Sequence, residues 1–129
     1  MNESSCLILC TTLPETVDVE EFARVLVEER LTACVQMFVP VKSVYRWKDQ
    51  IECATERPVQ MKTTTHRVDA LITRIHGLHP YEVPEILIFA PDKAGQDYED
   101  WIRKETAATG VTISDEAEDN ETTNEEEKK

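Results

Sequence analysis

Four cysteines, three histidines and a few charged residues set inside apolar strings hold the reactive chemistry of this 129-residue chain. Cys6 and Cys10 stand four apart, while Cys34 and Cys53 stand alone. None has the C-x-x-C spacing of a zinc ribbon, and the pattern is no disulfide framework. Most of these thiols are expected to act as small buried hydrophobes, with Cys53 the most exposed. His76 precedes His79 by one helical turn, a spacing with two readings: a ring brought close to that of His79, or an exposed polar position. His79 itself has two readings: a ligand, or a ring that caps its helix or bonds a backbone carbonyl. Lys62, Tyr81 and Glu85 are polar residues in otherwise hydrophobic strings. They suit a cleft between subunits that takes a small anion or metabolite, or a Lys–Glu pair with a tyrosine hydroxyl that fixes a subunit interface. There is no glycine-rich phosphate loop, no metal-binding helix motif and no nucleophile with an evident base, so an enzyme is not expected.

Composition narrows the setting. The length suits one domain, expected over 1–110. The net charge is −12, and half of it comes from the eight acidic residues and two lysines of 111–129. That stretch has almost nothing apolar to bury, so it reads as a disordered tail. It also lacks the central glycine and spacing of a calcium loop. The remaining residues are acidic too, which argues against a nucleic-acid partner. No apolar run is long enough to span a bilayer, and the acidic start Met1-Asn2-Glu3 is unlike a signal peptide, so no membrane role and a cytoplasmic location are expected.

The elements that must position these residues follow from periodicity. Cys6–Thr12 is a strand apolar on both faces, which calls for cover on both sides. Val19, Phe22, Ala23, Leu26, Val27 and Leu31 mark an amphipathic helix, capped by Thr16 or Asp18 with Glu20 and Glu21 in its first turn. Residues 33–47 and 51–65 alternate as two long strands of a hairpin, and Pro40 and Pro58 predict irregularities at an edge rather than central ladder positions. Val68, Leu71, Ile72, Ile75 and His79 share a helical face that Pro80 terminates. Residues 83–90 form a fourth strand, and 97–108 a closing helix. Trp47 and Trp101 are expected to be packing anchors.

The order β-α-β-β-α-β-α predicts an α+β, ferredoxin-like fold: a four-stranded antiparallel sheet, helices on one face and one extra C-terminal helix. The uncovered apolar face and the long hairpin would then lack a partner within one chain, and self-association is the economical solution.

Several strings resemble the CutA family of divalent-cation tolerance proteins. Glu28-Glu29-Arg30-Leu31-Thr32-Ala33-Cys34-Val35 is similar to the segment that closes that family's first helix. Val44-Tyr45-Arg46-Trp47 with Ile51-Glu52 resembles its hairpin, and Met61-Lys62-Thr63 its next strand. His79-Pro80-Tyr81-Glu82-Val83-Pro84-Glu85-Ile86 is the most distinctive match, and Tyr98 with Trp101-Ile102 resembles the closing helix. The resemblance covers about residues 5–107 and implies a cytosolic homotrimer, similar in build to PII-type signalling proteins, that tolerates or binds divalent cations, copper among them. By position, it carries a copper-ligand set onto Cys10, Leu78 and His79. Leucine cannot ligate, which leaves Cys10 and His79 as the metal residues. Cys10 closes the first strand and His79 precedes the last, which in such a fold is the same end of the sheet. Thiolate with imidazole suits copper. Glu85 or His76 is a candidate to complete the set. Cys34, also matched, reads as core. The other function that the resemblance allows is a signalling or scaffold trimer with a small-molecule or protein partner and metal incidental.

Overall fold

The computed structural model describes residues 6–108. The tail expected at 111–129 and the domain boundary expected at 110 lie outside the described residues. The elements are β1 (Cys6–Pro14), α1 (Val19–Glu28), β2 (Cys34–Met37), β3 (Val41–Trp47), β4 (Gln50–Thr64), α2 (Val68–Leu78), β5 (Leu87–Phe89) and α3 (Gln96–Glu105). All pairings are antiparallel, in the order β2-β4-β1-β5, with β3 also on β4.

The sheet therefore has five strands rather than the four expected. Pro40 divides the strand anticipated over 33–47, because proline has no N–H for the ladder. Pro58, by contrast, sits inside β4, opposite Thr12 of β1. The Phe38 N–H donates to the Pro58 carbonyl at 3.0 Å, so the backbone polar side of Pro58 faces the gap where β4 changes partner from β2 to β3. A missing donor costs little there. The last strand is only three residues, because the two prolines of 80–84 keep the preceding segment out of the ladder.

Asp18 caps α1, its carboxylate accepting from the Glu21 N–H at 3.1 Å. The helix buries Val19, Phe22, Ala23 and Leu26, and α2 buries Leu71 and Ile75. Both pack against Leu9, Leu13, Val59 and Met61 on one face of the sheet. After α1, Arg30 takes a left-handed φ of 61°, and the Leu31 and Arg30 N–H groups close back on the Leu26 and Val27 carbonyls. The Arg30 guanidinium then reaches the Glu105 carbonyl at the end of α3, at 3.1 Å, while its own carbonyl accepts from Arg67 Nε before α2.

The opposite face is not wholly bare. By alternation, Cys6, Ile8, Cys10 and Thr12 project there. Ile102 of α3 is buried with Cys6 and Ala33, and Trp101 packs on the same cluster. The third helix thus covers one end of the face that was expected to have none, leaving Leu87 and Phe89 of β5 about half exposed on the rest.

Candidate functional site

The best-built polar cluster lies where α2 ends against the far end of β1. Pro80 stops the helix, so His79 takes an extended backbone (φ −82°, ψ 134°) and its ring turns onto the sheet. Its Nε2 lies 2.7 Å from the Thr12 carbonyl oxygen, and its Nδ1 accepts the Tyr81 N–H at 3.1 Å. A carbonyl can only accept, so Nε2 carries the proton and the imidazole is a neutral, doubly bonded pin. Only 7% of the residue is exposed.

That pin sets Tyr81. Its ring stands 4.9 Å from the imidazole, and its hydroxyl donates to Glu56 Oε2 at 2.7 Å. Burial, and then the Glu56 carboxylate, hold the phenol proton well above the usual tyrosine range. Glu56 belongs to β4, opposite Pro14 of β1 and Val41 of β3, and is buried. In front of this pair opens a cleft of about 580 Å³, between the β3–β4 hairpin and the segment 80–85.

Sequence reasoning missed Glu56. The signal was a carboxylate in the middle of an alternating strand, where a charge needs a partner. Within one chain Lys62, Tyr81 and Glu85 do not meet as a group. Tyr81 bonds Glu56, and Lys62 instead donates to Gln36 Oε1 at 2.8 Å across β4 and β2. Glu85 lines the cleft with Tyr81. Trp47, expected to anchor packing, is 37% exposed on the cleft wall, whereas Trp101 does pack.

Cys10 is half-buried on the open face, two residues before Thr12. Burial, then the Glu85 carboxylate, raise its thiol above the usual range. His76 is exposed on α2, while His79 is buried. Cys6 is buried, Cys34 only half-buried beside Lys62, and Cys53 exposed on the hairpin. Among the described residues no three of His, Cys, Asp and Glu stand together as a metal cluster. Both nitrogens of His79 are bonded and the Cys10 thiol holds its proton more tightly than usual, so copper on these two residues would have to displace a hydrogen bond and a proton. No helix among the described residues is long and apolar enough to cross a membrane.

Known proteins are similar to this chain in sequence and fold. The family model described as CutA1 divalent ion tolerance protein matches residues 7–105. The divalent-cation tolerance protein CutA of Thermus thermophilus is 37% identical over 99 residues, which cover 77% of this chain and 96% of that protein. Protein CutA of Homo sapiens is 34% identical over 103 residues, 80% of this chain but only 58% of the longer human protein. Among solved structures, CutA from Xylella fastidiosa superposes with a TM-score of 0.76 at 36% identity, covering 81% of this chain and all of that one. The Nostoc sp. PCC 7120 relative, described as a PII-like protein, gives 0.73 at 38% identity over 78% of this chain and 97% of its own. A relative from Archaeoglobus fulgidus, at 28% identity over 79% of this chain and 99% of its own with a TM-score of 0.75, is described as periplasmic. The match runs from the second residue of β1 to the last of α3, and the chain belongs to the CutA family of divalent-cation tolerance proteins.

Proposed function

We propose that this chain works as a cytosolic, ferredoxin-like homotrimer in the response to divalent cations, without enzymatic turnover. The observation that carries the trimer is the half-exposed apolar pair Leu87 and Phe89 beside Ile8 on the open sheet face, with Val44 and Ile51 bare on the projecting hairpin. Apolar surface of this kind is stabilised by burial against copies of itself. The strand order β2-β4-β1-β5 supports the ferredoxin-like reading. The acidic charge and the short helices support a partner list of self and cation, without nucleic acid or membrane.

Copper at Cys10 and His79 is the metal half of the proposal. It requires the imidazole to release one of its two hydrogen bonds and the thiol to lose its proton; Glu85, whose charge Cys10 feels, would stand by as a third donor. Sedimentation equilibrium tests the assembly, with three chain masses expected and a stable single chain as the contrary result. Copper titration of the wild type and of Cys10→Ser tests the metal. Affinity should fall about tenfold on loss of the thiolate, and an unchanged affinity removes Cys10 from the site.

A specific observation favours a second reading, a PII-like trimer that carries a small molecule: the cleft of about 580 Å³ in front of Glu56 and Tyr81.

A further inference from the structure

Among the described residues of one chain, the cleft carries negative charge with nothing of opposite sign in its wall. Glu56, Glu82 and Glu85 line it, and no lysine, arginine or histidine does. Lys48 reaches Glu82 at 3.8 Å, but both side chains are about 70% exposed (71% and 72%), and solvent screens such a pair. Glu56 is different. It is 6% exposed, and among the described residues its one hydrogen bond comes from the Tyr81 hydroxyl to Oε2. Oε1 keeps its lone pairs for whatever enters. The carboxylate thus meets solvent only through the cleft, and within one chain the wall supplies it no counter-charge.

The rest of the lining has the complementary chemistry. Tyr45 and Trp47 alternate along β3 and present half-exposed rings to the same space. Aromatic faces attract cations, and the indole already does so here: Lys48 Nζ stands 5.6 Å from its ring centroid. The chain's own ammonium thus sits at the rim, short of the buried carboxylate.

We propose that this cleft binds a small organic cation, a primary or quaternary amine whose ammonium lies on Glu56 Oε1 and whose carbon skeleton lies against Tyr45 and Trp47. The assignment rests on the small-molecule reading above; Lys62, expected beside Tyr81 and Glu85 in a cleft between subunits, does not line this cleft within one chain. Tyr81 holds Glu56 in position through Oε2, and His79 holds Tyr81. No covalent step is involved.

Isothermal titration of the full chain with cadaverine, choline and succinate tests it. Saturable heat is expected with cadaverine or choline and none with succinate. Glu56→Gln and Trp47→Leu should each weaken amine binding about tenfold or more, with circular dichroism unchanged. Glu21→Gln, on the outer side of α1, should leave it as it was. Trp47 lies on the exposed hairpin, so its variant carries the comparison if Glu56→Gln fails to fold. Absence of saturable heat with both amines overturns the proposal, whatever then neutralises Glu56. So does succinate binding as well as the amines, or a Trp47→Leu affinity equal to that of the wild type. Sedimentation of the same samples keeps the assembly question separate: a single chain that binds cadaverine removes the trimer and keeps the cleft, and a trimer indifferent to both amines does the reverse.

Discussion

At the scale of single residues, the relay from Thr12 through His79 and Tyr81 to Glu56 matters most, because each group fixes the next. The Tyr81 phenol has a folded-state pKa raised above its unfolded value near 10, chiefly by burial and then by Glu56. A proton held more tightly in the folded state stabilises fully below the unfolded pKa, and that stability is lost as pH rises above it. Removing the hydroxyl should cost about 1 kcal/mol at neutral pH, since it also strips Glu56 of its partner. The same Tyr81→Phe change should make the decline above pH ~10 shallower. Urea unfolding at pH 7 and above 10 reads both; parallel pH profiles would contradict the assignment. Part of this relay was legible in advance: the His-Pro-Tyr string marks a helix stop with a ring and a phenol just beyond it. Glu56 was not, because hairpin register decides which carboxylate of β4 meets that phenol, and register is not written in any local string.

At the scale of elements, the β3–β4 hairpin closes through Lys48 and Asp49 alone, both at positive φ (50° and 67°). A two-residue loop with both residues left-handed matches the twist of the strands but strains side-chain-bearing residues. Asp49→Gly should therefore raise stability by roughly 0.5–1 kcal/mol, read as a higher midpoint in calorimetry, and a lower midpoint would mean that Asp49 makes a contact of its own. Helices α1 and α2 were readable from their apolar spacing, and α1 from its acidic first turn, because each buries one stripe. The hairpin was readable from alternation. The division at Pro40 and the unbroken passage through Pro58 were not separable in advance. Both residues lack the donor, and only the partner strand's path shows which gap is harmless.

At the scale of the whole molecule, the apolar remainder of the open face governs behaviour. Phe89 lies opposite Ile8 and is 53% exposed in the single chain. A charge there should oppose assembly: Phe89→Glu is expected to shift sedimentation equilibrium towards single chains, and a mass unchanged from wild type would place the contact elsewhere. The two-sided apolar pattern of β1 announced this face. The place of α3 on it was not announced, since amphipathic spacing says that a helix packs but not on which side of a sheet it lands.

The left-handed turn at Arg30 reaches further than its own loop. One guanidinium grips the end of the last helix, while the adjacent carbonyl is held from the start of the second. Segments 75 residues apart in the chain thereby share a single knot. That grip holds the end of α3 while Ile102 lies over Cys6 and Ala33, which trims the greasy area the sheet leaves open to water.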